Sequence, residues 1–309
     1  MSTSILQRPD ADNRRRPASE EPDEARSGRL EEPCIRRSDT LALAEEASLL
    51  RRDIVEALYQ CGGGHYGGSL SVIDLLLTLY RRQLRVAPGA PQHPDRDRVI
   101  LSKGHAALAQ YAVLRRLGFF DHPLADYGSI DSPLEGHPDM TVLPGIDFSS
   151  GSLGQGLSLG IGMALALRSA GRQVWVVLGD GECQEGQVWE AAMLAAQCGL
   201  DNLHAVIDHN RFQEWGWRRD AAGLVPEPVD RLQQKWAAFD WHVLSCDGHD
   251  FGALEASFAA AAATSGQPSV VVAHTTKGKG FPLIESDPIR FHCGTVDDTE
   301  HAALVRGNR

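Results

Sequence analysis

The chain has 309 residues, 23% of them charged and 42% hydrophobic, with a formal net charge of −11. That length supports a full hydrophobic core, and the acidic balance argues against non-specific nucleic-acid binding. No run approaches the ~18 consecutive apolar residues of a membrane span, and no apolar h-region marks a secretory leader.

The six cysteines, Cys34, Cys61, Cys183, Cys198, Cys246 and Cys293, form no Cys-x-x-Cys pair. They read as reduced thiols of a cytoplasmic protein, not as a disulfide framework or a zinc site. Residues 1–38 are rich in Arg, Glu, Asp, Pro and Ser and lack a hydrophobic period. They are expected to be a disordered charged tail, leaving 39–309 as one domain.

In chain order, Leu41 to Tyr59 carries Leu43, Ala47, Leu50, Ile54 and Leu58 along one helical side. A glycine-rich break, CGGGHYGGS, follows. Ser71, with Asp74 three residues on, has the pattern of a capping box and is expected to start a helix running toward Gln83. Arg98 to Leu101 reads as a short strand, then Ser-Lys-Gly-His and a helix to Leu117. The proline-bearing stretch 119–150 reads as a long loop, of the kind that often carries function. A small-residue helix follows Gly154-Gln155-Gly156.

The most informative stretch is 173–213, QVWVVLGDGECQEGQVWEAAMLAAQCGLDNLHAVIDHNRFQ. Val174 to Leu178 is a buried β-branched strand. It ends in Gly179-Asp180-Gly181, where glycines permit a sharp turn and close approach of a ligand. A helical pattern then runs to a stop at Gly199, and Leu203 to Ile207 forms a second strand ending in Asp208-His209-Asn210. Such a βαβ unit has parallel strands whose ends share one sheet edge. Asp180 and Asn210 therefore arrive side by side. A carboxylate and an amide oxygen at neighbouring strand ends suit Mg²⁺, which takes its remaining oxygens from phosphate and water, and open α/β sheets bind ligands at this edge. Gly-Asp-Gly alone is also an ordinary turn; the helix and the asparagine at this spacing carry the signal.

Beyond lies a polar stretch with Trp215, Trp217, Arg218 and Arg219. Helices at Leu232 to Phe239 and Phe251 to Ala263 flank a strand at Trp241–Leu244. A last strand, Val270 to Ala273, leads into TTKGKG. The alternation predicts an α/β fold: a single, doubly wound, mostly parallel sheet covered on both faces.

GDGECQEGQVWEA resembles the thiamine diphosphate motif of transketolases. GHYGGSLSVIDLL, LSKGHAALAQYAVL, LEGHP with PGIDFSSGSLGQG, and DGHDF with TTKGKG resemble transketolase segments in the family's order, over about residues 41–295. The resemblance is closest to the N-terminal, diphosphate-binding subunit of split bacterial transketolases. It implies thiamine diphosphate and Mg²⁺ as cofactors. The metal ligands would be Asp180, Asn210 and the carbonyl of Phe212. Gly181, the loop Gly151-Ser152-Leu153 and His105 would contact the diphosphate, with Lys277 and His292 beside it. His65, His105, His137 and His292 would serve the substrate as hydrogen-bonding and proton-carrying groups. Glu185 would sit at a subunit interface. Taken singly, each histidine also reads as an ordinary loop residue. Phe291, where the family has Trp before the histidine, Cys293-Gly294 after it, and EWGWRRD at 214–220 depart from the pattern and leave the substrate open.

The implied reaction transfers a two-carbon ketol unit from a keto donor to an aldehyde, with the protein supplying placement and electrostatics. The family's activating glutamate belongs to a pyrimidine-binding domain not expected within these 309 residues. The resemblance therefore implies a half-enzyme working with a separate C-terminal-type subunit, as an α2β2 heterotetramer. Alternatives are a ketol or acyl transferase with a non-pentose substrate, and a non-catalytic thiamine diphosphate-binding subunit. A two-metal hydrolase lacks the second carboxylate cluster it would need.

Overall fold

The computed structural model describes residues 40–214, 218–220, 223–225 and 231–307. The expected tail at 1–38, and Trp215 and Trp217, lie outside them. Five parallel strands form the central sheet: β1 (Arg98–Leu101), β2 (Val174–Gly179), β3 (Leu203–His209), β6 (His242–Asp247) and β7 (Ser269–His274), in the order β1-β2-β3-β7-β6. The polar stretch after β3 contains an antiparallel pair instead of a plain loop, β4 (Arg218–Asp220) with β5 (Gly223–Val225).

The strands are short and rich in Val and Ile, and every residue of β2 is buried. Side chains alternate between two cores, as the strand period requires. Val99, Leu101, Trp175, Val177, Val206 and Val271 pack beneath α1 (Thr40–Gln60), α2 (Tyr66–Thr78), α3 (Ala107–Leu117) and α7 (Phe251–Ala262). Ile100, Val174, Val176, Leu178, Ala205, Ile207 and Val272 face the other way, toward α4 (Gln155–Leu167), α5 (Gly186–Gln197) and α6 (Leu232–Ala238). The doubly wound, parallel α/β arrangement read from the sequence is the one observed. Two short helices, α8 (Pro282–Ser286) and α9 (Asp298–Gly307), follow β7. Among the described residues no helix is long and apolar enough to cross a membrane.

One expected boundary is corrected. Helix α2 starts at Tyr66, with His65 at its N-cap, not at Ser71. Gly67 and Gly68 therefore lie inside its first turns, where glycine is unfavourable. Close packing requires them. A Cβ on Gly67 would stand 2.8 Å from Lys277 Cγ, and one on Gly68 would stand 3.2 Å from His105 Nε2. Ser71 and Asp74, freed from capping, are buried and bond to other elements.

Candidate active site

The carboxyl ends of β1, β2, β3 and β7 open on a cleft of about 580 Å³. The register sets Gly179 of β2 beside Asp208 of β3, so Asp180 and Asn210 follow at neighbouring strand ends. Asp180 is 5% exposed. Its Oδ1 accepts the Gly181 N–H at 2.7 Å and its Oδ2 the Arg211 N–H at 2.5 Å. The second bond holds Arg211 at φ 70°, a left-handed conformation that costs a side chain some strain. Burial pushes the Asp180 carboxyl up to about 6, outweighing these two donors.

Asn210 is oriented from below. Its Nδ2 donates to Asp208 Oδ2 at 3.3 Å and to Ser71 Oγ at 3.4 Å, while its Oδ1 accepts the Phe212 N–H at 3.1 Å. A carboxylate only accepts, so the amide nitrogen must face Asp208 and the oxygen is turned away. Asp208 is fully buried. It takes Lys103 Nζ at 2.5 Å, Ser71 Oγ at 2.6 Å and the hydroxyl of Thr275. Burial alone would raise its pKa, but Lys103 and these hydroxyls bring it below the ordinary value. This knot ties α2, β1, β3 and β7 together under the cleft. Sequence reasoning missed it. The one available signal was a charged residue, Asp208, at the end of an otherwise apolar strand.

Glu182 makes a second knot. It is 3% exposed, accepts the N–H groups of Gly154 and Gly179 at 2.8 and 3.0 Å, and takes the Ser102 hydroxyl at 2.5 Å. It thereby fastens the loop before α4 to the loop after β2. Ahead of α4, the N–H groups of Gly151, Ser152 and Leu153 have no partner among the described residues, and the helix has no side-chain cap. Gly151 and Leu153 line the cleft. Free N–H groups in a glycine-containing loop that leads into a helix suit an anion.

Three imidazoles that line the cleft lie close together. His65 and His105 have ring centroids 5.2 Å apart, His65 and His292 5.8 Å, and His105 and His292 5.6 Å. Burial lowers His65 to about 4 and His292 to about 3, and holds His105 well below the ordinary value. All three are neutral at pH 7. Lys277 is 3% exposed; its Nζ reaches the Phe212 carbonyl at 2.8 Å and His292 Nδ1 at 2.7 Å. Burial, then the nearby Lys103 charge, lowers it to about 7. Gly181, Glu185 and Phe212 also line the cleft. Glu185 is exposed at the N-cap of α5. His137 is exposed and stands outside the lining, beside Gly151, where an added Cβ would lie 3.5 Å from His137 Cδ2. Ser152 is likewise on the rim.

The donor set fits a hard cation shared with phosphate. Among the described residues no three His, Cys, Asp or Glu groups converge to hold a metal by themselves. Asp180, Asn210 and Phe212 all line the cleft, so it offers one carboxylate, one amide oxygen and one backbone carbonyl, the last already accepting from Lys277. Mg²⁺ accepts such an incomplete set when substrate phosphates supply the rest. The raised Asp180 carboxyl is a buried charge short of compensation, which a cation there would provide.

Residues 42–306 match the family profile described as "Transketolase, thiamine diphosphate binding domain". The chain belongs to the transketolase family. Among its relatives, the 6-deoxy-6-sulfo-D-fructose transketolase subunit of a Clostridium species (strain MSTE9) is 40% identical over 268 residues, covering 85% of this chain and 95% of that protein. An apulose-4-phosphate transketolase subunit of Phocaeicola vulgatus is 38% identical, covering 87% and 93%. The structure superposes on a transketolase from Campylobacter jejuni with a TM-score of 0.75 at 26% identity, covering 85% of this chain but 42% of that one. A transketolase variant from Pichia stipitis gives 0.76, with coverages of 87% and 41%. This transketolase-family chain thus spans about two fifths of those longer enzymes and nearly all of the relatives named as subunits.

Proposed function

We propose that the chain is the diphosphate-binding subunit of a two-chain, thiamine diphosphate- and Mg²⁺-dependent transketolase-type enzyme. The observation that carries the reading is that Asp180 and Asn210 line one cleft with Gly151 and Leu153, whose N–H groups have no partner among the described residues. Asp180, Asn210 Oδ1 and the Phe212 carbonyl would hold the metal. Gly181, the 151–153 loop, His105 and Lys277 would hold the diphosphate. When bound, the cofactor supplies a stabilised carbanion for breaking and making carbon–carbon bonds beside a carbonyl. The neutral rings of His65 and His105 can each donate and accept, and His292, whose Nδ1 already accepts from Lys277, can donate from Nε2, as the hydroxyl and carbonyl oxygens of a ketose and an aldehyde require. His137 would add a further contact from the rim.

The partner is a separate chain carrying the pyrimidine-binding domain, in an α2β2 assembly within the cytoplasm. Supporting it, α4 and α5, which start just after the cleft residues Leu153 and Glu185, expose Leu159, Leu165, Met193 and Leu194. A non-pentose donor is a second reading. One relative covered almost end to end is named for 6-deoxy-6-sulfo-D-fructose.

Titrating thiamine diphosphate into the assembled enzyme, with and without Mg²⁺, tests the site. Asp180→Ala is expected to weaken binding at least tenfold, about 1.4 kcal/mol, and to abolish the gain from Mg²⁺. Equal affinity in wild type and variant, or no effect of the metal, sinks the assignment.

A further inference from the structure

Asp74 is 2% exposed on α2, and nothing in the cleft uses it. Its Oδ2 accepts Arg51 Nη2 at 2.6 Å and lies 2.7 Å from His249 Nδ1. His249 comes from the loop between β6 and α7. Its other ring nitrogen, Nε2, accepts the backbone N–H of Thr276 at 2.8 Å. A peptide N–H can only donate, so Nε2 carries no proton and Nδ1 must carry the ring's one. Asp74 accepts that proton's hydrogen bond. Geometry alone fixes the tautomer.

Thr276 directly precedes Lys277, whose Nζ bridges Phe212 and His292. The lysine stem runs across Gly67, where a Cβ would stand 2.8 Å from Lys277 Cγ and 3.0 Å from Cε. There is little slack: a shift of the backbone at 276 carries Nζ away from both acceptors. Other bonds secure the loop on either side, Thr275 N–H to His209 O at 3.2 Å and Gly278 N–H to Gly67 O at 3.0 Å. Between them, the Thr276 N–H is held by His249.

We infer that His249, locked in one tautomer by Asp74, is a positioning residue of the cleft that seats the Thr276–Lys277 segment. Its consequence for cofactor binding rests on the function proposed above; the seating does not. It is an orienting relay from a buried carboxylate through an imidazole to a backbone amide, and no proton moves along it.

Two substitutions separate this role from simple neutralisation of Asp74. His249→Gln places an amide oxygen where Nε2 stood, so it still accepts the Thr276 N–H but no longer reaches Asp74. His249→Asn places an amide nitrogen where Nδ1 stood, so it still serves Asp74 and leaves Thr276 without an acceptor. Amide hydrogen exchange on the full chain, without cofactor, reads the seating. His249→Asn is expected to speed exchange at Thr276 at least tenfold with β3 unchanged, and His249→Gln to keep it within threefold of wild type. Equal exchange in the two variants, or the reverse order, overturns the inference. In wild type, ¹⁵N spectra of the imidazole must show Nδ1 protonated and Nε2 bare. The opposite tautomer overturns the inference even where neither variant folds. Thiamine diphosphate titration with Mg²⁺ then adds the functional arm, with affinity lost in the Asn variant and retained in the Gln variant. If wild type shows the tautomer and exchange pattern but binds no cofactor, the proposed function fails and the seating stands.

Discussion

Gly67 shows how closely single atoms are fitted around the cleft. Helix propensity favours alanine over glycine by about 1 kcal/mol at an interior position, yet here the added methyl meets the Lys277 stem at 2.8 Å. Gly67→Ala is expected to fold and to lose cofactor affinity by displacing the lysine. Gly162 on α4 is the control. It is exposed, and a Cβ there meets nothing within 4 Å. Gly162→Ala should add up to about 1 kcal/mol of stability and leave cofactor affinity alone. Chemical denaturation and cofactor titration on both variants check the pair; unaltered binding in Gly67→Ala contradicts the packing argument. At this scale Asp180 and Asn210 could be placed side by side because each follows the end of an apolar strand, whereas His65, His105 and His292 were singled out only by the resemblance to the family. Lys103 and Glu182 were not. Lys103 finds Asp208 across 105 positions and Glu182 finds Ser102 across 80, and no local pattern records such partners.

At the scale of elements, strands and helices were readable from their periods, and their ends less so. Strand β3 runs through Asp208 to His209, past the last apolar residue. The buried carboxylate is tolerated there because Lys103, Ser71 and Thr275 neutralise and bond it. Helix α2 begins five residues before Ser71, because the capping pattern Ser71–Asp74 was a coincidence of spacing. Ser71 serves Asp208 instead, which gives a test. An N-cap serine lost from a helix end would leave the site untouched. Ser71→Ala should cost about 1–2 kcal/mol in urea unfolding, the usual penalty for a buried group losing a donor. It should also weaken cofactor binding, because Asn210 Nδ2 loses one of its two acceptors. Wild-type affinity in a destabilised Ser71→Ala protein counts against the oriented-amide argument.

For the molecule as a whole, the parallel sheet, its two covered faces and the edge that carries the cleft were all legible, since alternating apolar strands and amphipathic helices leave little choice of architecture. The pair β4 and β5 and the helices α8 and α9 were not, being too short and polar to show a period. Stability should depend on pH through the core. His204 on β3 is fully buried against Trp175, and burial lowers it from 6.5 to about 3. The unfolded chain then binds its proton first as pH falls. The contribution of His204 is complete above pH 6.5 and is lost between there and about pH 3. Near pH 5 the loss is about 2 kcal/mol, at about 1.4 kcal/mol per pH unit. Unfolding midpoints from pH 8 to 5 should show a shallower decline in His204→Phe than in wild type, and parallel curves would contradict the assignment.

In the two-chain reading, this polypeptide holds the diphosphate half of the cofactor site and depends on a second polypeptide for chemistry. Hydrogen–deuterium exchange at C2 of thiamine diphosphate measures cofactor activation before any sugar is involved. With Mg²⁺ and this chain alone, exchange is expected to be no faster than in free solution, and to become rapid once a partner bearing the pyrimidine-binding domain is added. Rapid exchange by the purified chain alone, together with cleavage of a keto donor, would contradict that dependence.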